Sequence, residues 1–275
     1  MTQTNKRRLL CIATRRSGHH AFLEWVLAGA KQPWTYYNNV NVTRAHFAAA
    51  RALRQDGRDA AASPEGDHVD TPLLAFSVED RTLDQVLNWS QVSRCLPPDA
   101  RVDIILFLRD PLNAFASLLQ VLDRAGWVAE DENRKARRRA HHLRSWASLA
   151  REFLAETDQL SRHAAHWRVH RVHYNGFIGG MAARDDIAAA LDLQPTQLQT
   201  GLSRFGGGGN TFFSDKAGYS LSPDTLEARW QQVDAPARSV LRDELLDGPY
   251  ADLVARFYSA IGRQQLLQDA RSALA

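Results

Sequence analysis

Two apolar segments of this chain each run directly into charged residues and then into a helix-like pattern. The first segment, residues 9–14, is followed by residues 15–21 with the sequence RRSGHHA; the second, residues 104–108, is followed by residues 109–111 with the sequence RDP. Continuous apolar runs of this length are typical of strands buried on both faces of a parallel sheet. A helix that starts directly after such a strand presents its N-terminal N–H groups to anions. The sequence therefore predicts two anion-binding corners, suited to a ligand with two separate anionic groups.

The remaining pattern alternates strands with helices. Further apolar runs at 73–78 and 168–173 predict two more strands. Helical patterns predict helices at 19–31, 82–94, 112–125, 134–160, 183–192, 223–233, 236–246 and 250–270. This alternation predicts an α/β fold with a central, mostly parallel sheet flanked by helices on both faces. The 275 residues fit a single domain.

Three stretches depart from this alternation. Residues 32–40 are aromatic and polar and predict a loop or an edge segment. Residues 44–70 contain an Ala/Arg helix-like stretch followed by Asp, Gly, Ser and Pro, which predicts a helical surface excursion. From about residue 222 onward the pattern predicts a helical C-terminal part.

Composition narrows the class of protein. A hydrophobic fraction of 44%, a charged fraction of 24% and a net charge of +3 are ordinary for a soluble domain and do not favour nucleic-acid binding. No stretch approaches the roughly twenty apolar residues of a membrane span. The apolar run behind the basic N-terminus stops at Ala13, which is short for a signal peptide. Cys11 and Cys95 have no metal-binding spacing and predict buried free thiols, which favours a reducing, cytoplasmic compartment.

The first corner has the chemistry of a phosphate or sulfate site. Ser17 and Gly18 permit a tight turn, and Arg15 and Arg16 add positive charge. The predicted N–H donors at the helix start are those of Gly18, His19, His20 and Ala21. The GxxxxGK[ST] spacing of a Walker A loop is absent, which argues against an ATP-dependent kinase. The alternative interpretation is a solvated turn before a helix.

The second corner combines a cation with a hydroxyl. Pro111 suits a first helical position and Asp110 can cap the helix. Ser117 lies eight residues after Arg109, two turns into the helix, where it can face the same ligand. In isolation, the alternative is a surface turn with Ser117 packed against the sheet. Because ligands of such folds bind beyond the carboxyl ends of the strands, Glu79 and Tyr174 are expected at the same edge.

Together the two corners resemble the sulfotransferases that use 3′-phosphoadenosine 5′-phosphosulfate (PAPS). That family has a loop of the type [PT]-[KR]-S-G-[ST]-[ST] for the 5′-phosphosulfate, which residues 14–20 resemble. It also has a strand ending in R-D-P with a serine eight residues beyond the arginine, for the 3′-phosphate, like Arg109 and Ser117 here. Arg16 stands where many members have lysine, and His19 and His20 replace small hydroxyl residues.

Two weaker similarities follow later in the chain. Residues 171–174 resemble the family's strand that ends in a tyrosine near the adenine, although Asn175 and Gly176 replace an acidic pair. Arg204 begins a glycine-containing segment, 204–213, where the family has a loop that closes over the nucleotide.

The resemblance implies transfer of a sulfuryl group from PAPS to a hydroxyl acceptor, with PAP (adenosine 3′,5′-bisphosphate) as product and no metal. It implies Arg16 at the leaving 5′-phosphate, and Arg109 and Ser117 at the 3′-phosphate. Glu79 is the expected general base, with the histidines His19 and His20 as rivals because of their ordinary pKa near 6.5. The alternative for Glu79 is an acid that stabilises the N-terminus of the next helix.

The acceptor is less constrained. A basic run at 133–144 predicts a solvated helix face, or a docking surface for a polyanionic acceptor or nucleic acid. On this feature a carbohydrate acceptor is favoured over a small phenol, an alcohol or a peptidyl tyrosine. For the aromatic residues Trp34, Tyr36 and Tyr37, the sequence predicts either the lining of an acceptor pocket or, as is more common for such residues, a place in the core. Two other functions stay open: a kinase-like phosphotransferase, and a non-catalytic nucleotide- or glycan-binding relative. The oligomeric state is also open.

Overall fold

A computed structural model of the chain describes residues 6–40, 51–55, 71–88, 96, 100–123, 131–155, 167–198 and 227–275. These residues contain a six-stranded sheet with the order β3-β2-β4-β1-β5-β6. The strands are β1 Arg7–Ala13, β2 Trp34–Asn38, β3 Arg51–Arg54, β4 Leu73–Glu79, β5 Arg101–Leu108 and β6 Trp167–His173. All neighbouring pairs are parallel except β2 with β3. The predicted mostly parallel sheet is confirmed.

Helices cover both faces of the sheet. They are α1 His19–Ala28, α2 Leu83–Leu87, α3 Pro111–Asp123, α4 Glu132–Leu154, α5 Tyr174–Gly179, α6 Met181–Ala190, α7 Ala235–Leu241, α8 Ala251–Ala260 and α9 Gln264–Leu274. A 3₁₀ turn, Arg229–Gln232, precedes α7, and a π-helical turn, Arg242–Leu246, follows it. Alternate residues of β1 enter two separate cores: Leu10 and Ile12 pack with α3, α4 and α8, and Leu9 and Cys11 pack with α1 and α5. In the described part of the chain, no helix is long and apolar enough to cross a bilayer.

The register of the strands aligns their carboxyl ends. Ala13 at the end of β1 lies opposite Glu79 of β4 and Phe107 of β5, and Leu108 lies opposite His173 of β6. The segments that follow β1, β4, β5 and β6 therefore leave the sheet at one edge. This register places the residues of both predicted corners within reach of one another.

Two predicted elements are wrong. Within 32–40, which the sequence predicts as a loop or an edge segment, residues 34–38 form the strand β2, and this strand lies between β3 and β4 inside the sheet. Its aromatic residues, Trp34, Tyr36 and Tyr37, are buried in the core, as the core interpretation of these three side chains predicts. Within 44–70, residues 51–54 are not helical, because their pairing with β2 outweighs the helix propensity of Ala and Arg. The remainder of 44–70, apart from Gln55, lies outside the described residues.

Several helix boundaries also differ from those predicted. The predicted helix at 250–270 is two helices, separated at Gly262, whose φ of 67° is left-handed. The predicted helix at 82–94 ends at Leu87, with Asn88 as its C-cap. The helical C-terminal part is helical from residue 227 in the described part, and residues 222–226 lie outside it.

Asp110 connects the end of β5 to three other parts of the chain. Its buried carboxylate accepts hydrogen bonds from the Asn113 backbone and side chain at 2.9 Å each, and from the Tyr258 hydroxyl at 2.9 Å. Its second oxygen accepts from Asn175 Nδ2 at 3.1 Å. The predicted capping of α3 by Asp110 is therefore confirmed. The same carboxylate joins α3 to α8 and to the segment after β6.

We expect Tyr258→Phe to lower the free energy of unfolding by about 2 kcal/mol, because a hydrogen bond to a charged group contributes about 1.5–3 kcal/mol. Urea denaturation would measure the change. Tyr250→Phe, the same substitution at the half-buried residue that precedes α8, is the control and is expected to change stability by less than about 0.5 kcal/mol. Equal effects of the two substitutions would contradict a connecting role for Asp110.

Candidate active site

The two predicted corners meet at the carboxyl edge of the sheet. Arg109 Nη1 donates a hydrogen bond to the Arg16 carbonyl oxygen at 3.5 Å. Arg16 Nε donates to Ser117 Oγ at 3.4 Å. Arg109 and Ser117 are each only 1% exposed. The residues of the two motifs therefore form one cluster, and not two separate surface turns.

The turn after β1 contains two left-handed residues, Arg16 with a φ of 65° and Gly18 with a φ of 87°. Gly18 precedes α1 without a side-chain cap, and the first turn of the helix contains no acidic residue. The backbone N–H groups at Gly18, His19 and His20 thus lie at a helix N-terminus, where a negative charge is favoured. The predicted contribution of Ala21 is an exception, since its N–H donates to the Gly18 carbonyl at 3.1 Å.

Asp80 holds this turn in place, a role that the sequence analysis did not identify. Its Oδ1 accepts from the Arg15 backbone N–H at 3.0 Å, and its Oδ2 lies 3.0 Å from Arg15 Nε. Its own backbone N–H donates to the Ala13 carbonyl at 2.9 Å, and its φ is 57°. A left-handed, buried aspartate at the end of a strand is an uncommon conformation. Here it joins the segment after β4 to the turn after β1.

The ring of Tyr174 lies between the two corners. A Cβ atom added at Gly18 would come within 2.4 Å of Tyr174 Cε2. The Arg109 guanidinium carbon is 4.6 Å from the centroid of the same ring, a distance that favours a cation–π interaction. Gly18 is thus required both for its backbone conformation and for the close approach of this ring.

Arg229 is a third arginine of this cluster, and sequence reasoning missed it. It lies in the 3₁₀ turn and is 5% exposed. Burial and the charges of Arg109 and Arg16 lower its pKa to about 9, and burial and Arg109 lower the pKa of Arg16. The three guanidinium groups repel one another, and a bound anion would relieve that repulsion.

Asn113 explains how a residue so distant in sequence reaches the cluster. Its Nδ2 donates to the Glu227 carbonyl at 2.8 Å, and its Oδ1 accepts from the Trp230 backbone N–H at 3.3 Å. The 3₁₀ turn is thereby attached to the start of α3. The residues around Arg229 form no recognisable motif. Only its residue type could have suggested a contact with an anion.

Glu79 lies beside two histidines and an arginine. Its Oε1 is 3.4 Å from His19 Nε2 and 3.9 Å from His20 Nε2, and its Oε2 is 3.4 Å from Arg15 Nε. Burial, with a smaller contribution from Asp80, raises the pKa of Glu79 to about 7. The carboxyl group therefore changes its charge near neutral pH, a property common among catalytic acids and bases.

The alternative role for Glu79, an acid at the start of the next helix, does not fit the structure. Helix α2 begins with a capping box, in which the Thr82 hydroxyl accepts from the Gln85 backbone and Gln85 Oε1 accepts from the Thr82 backbone. Glu79 precedes this box and faces α1 and Arg15 instead.

Both histidines are neutral at neutral pH. Burial and the neighbouring His20 lower the pKa of His19 well below its usual value, and His19 Nδ1 lies 3.2 Å from Ser17 Oγ. Burial and Arg16 lower the pKa of His20. His20 Nε2 lies 2.9 Å from Asn38 Oδ1, and with that oxygen as acceptor the ring carries its proton on Nε2. Glu79 is therefore the member of this group that titrates nearest to neutral pH.

The same three residues could also hold a metal ion. One ligand atom from each of His19, His20 and Glu79 lies within 4.8 Å of the others. Two imidazoles and a carboxylate are a common ligand set for Zn²⁺ and related ions. The expectation of a metal-free reaction is not tested by this spacing and stays a prediction.

One predicted site residue lies outside the described residues. Arg204 and the glycine-containing segment 204–213 belong to the interval 199–226, which the structure does not describe.

Comparison with known proteins gives structural similarity alone. No family model matches the chain, and no curated protein matches it. A sulfotransferase domain from the curacin biosynthetic pathway aligns with a TM-score of 0.45 and 14% identity, over 94% of this chain and 98% of that one. A mouse sulfotransferase complexed with PAP aligns with a TM-score of 0.42 and 10% identity, over 84% of this chain and 87% of that one. Both aligned proteins are sulfotransferases. At these values the alignments carry no information on the substrates of this chain.

We expect Gly18→Ala to lower the free energy of unfolding by about 2 kcal/mol or more, because an L-residue at a left-handed position costs about 1–2 kcal/mol and the Tyr174 ring must also move. Gly180→Ala is the control, since a Cβ there meets nothing within 4 Å and the φ of Gly180 is −149°. Urea denaturation of both variants measures the difference. If Gly18→Ala is as stable as Gly180→Ala, then the close packing of the two corners is not required.

Proposed function

We propose that this protein is a sulfotransferase that moves the sulfuryl group of PAPS to a hydroxyl group of an acceptor and releases PAP. The observation that supports this proposal most is the junction of the two corners, with Arg16 hydrogen-bonded to Ser117 and Arg109 hydrogen-bonded to the Arg16 carbonyl. A nucleotide with anionic groups at two positions needs cations and N–H donors at two adjoining places. The carboxyl edge of this sheet supplies both.

The residues at this edge fit such a donor. Arg109, Ser117 and Arg229 are proposed to bind the 3′-phosphate, because two of them are buried cations and the third contributes a hydroxyl group. Arg16 and the N–H groups that follow it are proposed to bind the 5′-phosphate, where charge-assisted hydrogen bonds are strong. Tyr174 and Arg204, the latter by the family resemblance alone, complete the proposed nucleotide contacts.

The bound donor would supply an activated sulfuryl group: the acceptor oxygen bonds to sulfur while the bond from sulfur to the 5′-phosphate oxygen breaks, and the electron pair stays on that oxygen. Arg16 is proposed to stabilise the charge that develops there, an electrostatic contribution that buried groups make effectively. The acceptor's hydroxyl proton goes to Glu79.

Glu79 suits the role of general base for a physical reason. A base is most effective when its pKa lies near the working pH, and the pKa of Glu79 is raised to about 7. Burial disfavours the ionised carboxylate, so accepting a proton returns Glu79 to the form that its surroundings favour. Arg15, 3.4 Å from one carboxylate oxygen, holds that carboxylate in one orientation.

His20 has a different proposed role. Its proton lies on Nε2, the atom 3.9 Å from Glu79, so this atom is a donor and not a base. We propose that this Nε2–H group, which lies 2.9 Å from Asn38 Oδ1 in this structure, turns to a sulfonate oxygen when the donor binds. It would there replace the hydroxyl group that sulfotransferases of the resembled family have at this position. His20 remains the rival base that the pH dependence can identify.

We expect the protein to bind PAP in the presence of EDTA, and Arg109→Ala to weaken that binding at least about 30-fold, equal to about 2 kcal/mol, because a buried charge-assisted contact is lost. Isothermal calorimetry measures both affinities. Arg256→Ala removes an exposed arginine of α8 and is the control that should leave the affinity unchanged. ATP binding that requires Mg²⁺, with no affinity for PAP, would instead identify a phosphotransferase.

We expect Glu79→Gln to lower kcat by about 10²–10⁴-fold, the usual contribution of a general base, while the Kd for PAP stays unchanged. The assay uses labelled PAPS and an acceptor found by screening classes of hydroxyl compounds. A variant with full activity would exclude Glu79 as the base. A wild-type protein that binds PAP and transfers sulfate to no acceptor would indicate the non-catalytic relative.

The pH dependence separates the two candidate bases. Only the ionised carboxylate accepts a proton, so we expect kcat/KM to rise by about tenfold per pH unit below pH 7 and to level off above it. Glu79→Gln should remove this rise of kcat/KM with pH. A limb below pH 6.5 that survives in Glu79→Gln and disappears in His20→Gln would assign the base to His20, whose pKa is lowered.

A further inference from the structure

A cavity of about 390 Å³ lies between α3, α4 and the turn after β1. Its volume is in the range of small-molecule sites and is small for a polymeric ligand. The cavity is not lined by three of the residues proposed to bind the nucleotide, which are Arg109, Ser117 and Tyr174. Among the described residues, only Arg16 belongs both to the cavity and to the proposed nucleotide site. The cavity is therefore a separate compartment that adjoins the nucleotide site at Arg16.

One wall of the cavity is apolar. Leu118, Val121 and Leu122 line it from α3. Their spacing of three and four residues places these side chains on one face of the helix. Such a wall gains free energy by covering apolar carbon atoms, and it offers no partner to the hydroxyl groups of a sugar. The wall thus favours a ligand with an apolar body.

The opposite wall is cationic. Arg134, Arg137 and Arg138 of α4 line the cavity, together with Arg15 and Arg16 of the turn after β1. Asp80 is the one acidic residue among the described lining residues. Five arginines against one carboxylate leave a strong excess of positive charge. An anionic group on the ligand would be attracted to this side of the cavity.

His142 gives an independent indication of a ligand. It lines the cavity, it is 4% exposed, and its ring stacks on Phe115 at 6.1 Å. Its Nε2 has no hydrogen-bond partner among the described residues. Burial, with additional repulsion from His141 and Arg15, lowers its pKa to about 4, so the ring is neutral. A buried polar atom left without a partner costs about 1–3 kcal/mol, which a polar group of a ligand in the cavity would recover.

The cavity lies next to the proposed base, although Glu79 is not among the described residues that line it. Arg15 lines it, and Arg15 Nε lies 3.0 Å from Asp80 Oδ2 and 3.4 Å from Glu79 Oε2. A hydroxyl group at this end of the cavity would therefore approach the proposed base. The anionic end of the same ligand would then lie toward α4, away from the transferred group.

We propose that this cavity is the acceptor site, and that the acceptor is a small amphipathic anion: an apolar body that carries a carboxylate, phosphate or sulfate group in addition to the hydroxyl group. This inference rests on the proposed function and makes it more specific. It replaces the preference for a carbohydrate, which depended on the basic run alone, because the basic residues of α4 face an apolar wall across a small cavity. The α4 arginines select the anion and Leu118, Val121 and Leu122 select the apolar body.

Two fluorescent naphthols test the proposal, because they share one ring system and one hydroxyl group and differ in a single charge. The probes are 6-hydroxynaphthalene-2-sulfonate and 2-naphthol. Fluorescence titration of the PAP-loaded protein gives each Kd, and labelled PAPS gives each kcat/KM. We expect the sulfonate to bind at least tenfold more tightly than 2-naphthol and to have at least a tenfold higher kcat/KM.

Substitution on α4 tests the source of that preference. Arg137→Ala should weaken the binding of the naphthol sulfonate about tenfold and leave the Kd of 2-naphthol and of PAP unchanged. Arg151→Ala removes an exposed arginine from the last turn of the same helix and should change none of the three. A charge preference that persists in Arg137→Ala, or one that Arg151→Ala reduces equally, would overturn the assignment of the anion to the cavity.

His142→Phe tests the second observation. Phenylalanine keeps the stack on Phe115 and removes the unpartnered nitrogen, so the variant should be at least as stable as the wild type in urea. The naphthol sulfonate should bind several-fold more weakly, because its anionic group loses a hydrogen bond, whereas the Kd of 2-naphthol should not change. Unchanged binding of the sulfonate would show that His142 does not contact the ligand, and would remove this support for the site.

The outcomes separate this inference from the proposed function. If PAP binds and neither naphthol binds, or 2-naphthol is used as well as the sulfonate, the acceptor inference is wrong and the proposed function stands. If a heparosan oligosaccharide is sulfated in preference to both naphthols, the acceptor is a carbohydrate and this inference is wrong. If PAP does not bind and the sulfonate still binds through Arg137, the cavity is an anion site and the proposed function has failed.

Discussion

The carboxylate of Asp110 is the interaction on which the site's geometry depends. It is fully buried, and four hydrogen bonds from Asn113, Asn175 and Tyr258 satisfy it. Because the preceding residue is Arg109, the orientation of the guanidinium group follows from how the end of β5 is held. A buried carboxylate with partners from three other segments allows little movement of that end. Arg109 can therefore hold its position beside Arg16 and Tyr174 despite the repulsion of neighbouring cations.

The site concentrates unfavourable energy in a small region. Arg16, Gly18 and Asp80 have positive φ angles, Glu79 has a raised pKa, and Arg229 is buried close to two other arginines. Each of these features by itself lowers the stability of the protein, and together they are typical of a region arranged for a ligand rather than for folding. The ordinary parallel sheet and its two cores provide the stability that offsets this cost. Strain and electrostatic repulsion are consequently confined to the carboxyl edge.

Arg16 lies where the two proposed compartments of this edge adjoin. Arg16 contacts Ser117 on the side proposed for the nucleotide and lines the cavity beside α3 and α4. Arg15 lines the same cavity and contacts both Glu79 and Asp80. In the proposed reaction, the sulfuryl group would leave the 5′-phosphate beside Arg16 and be transferred toward the cavity that His142 lines. The two adjacent arginines of the first motif thus have different proposed roles: Arg16 contacts the donor, and Arg15 contacts the proposed base.

The amino-acid sequence by itself determined the parallel sheet, the positions of β1, β4, β5 and β6, and the identity of both corners. It could do so because apolar runs, turns and helix starts depend on the local backbone preferences of residues that are neighbours in the chain. Only the tertiary structure decided that residues 34–38 lie inside the sheet, that Asp80 holds the turn after β1, and that Arg229 joins Arg109. It also decided the pKa of Glu79 and the cavity between α3 and α4. These properties arise from burial and from contacts between residues far apart in the chain. A local sequence pattern does not show which distant residues will pack against a side chain and bury it.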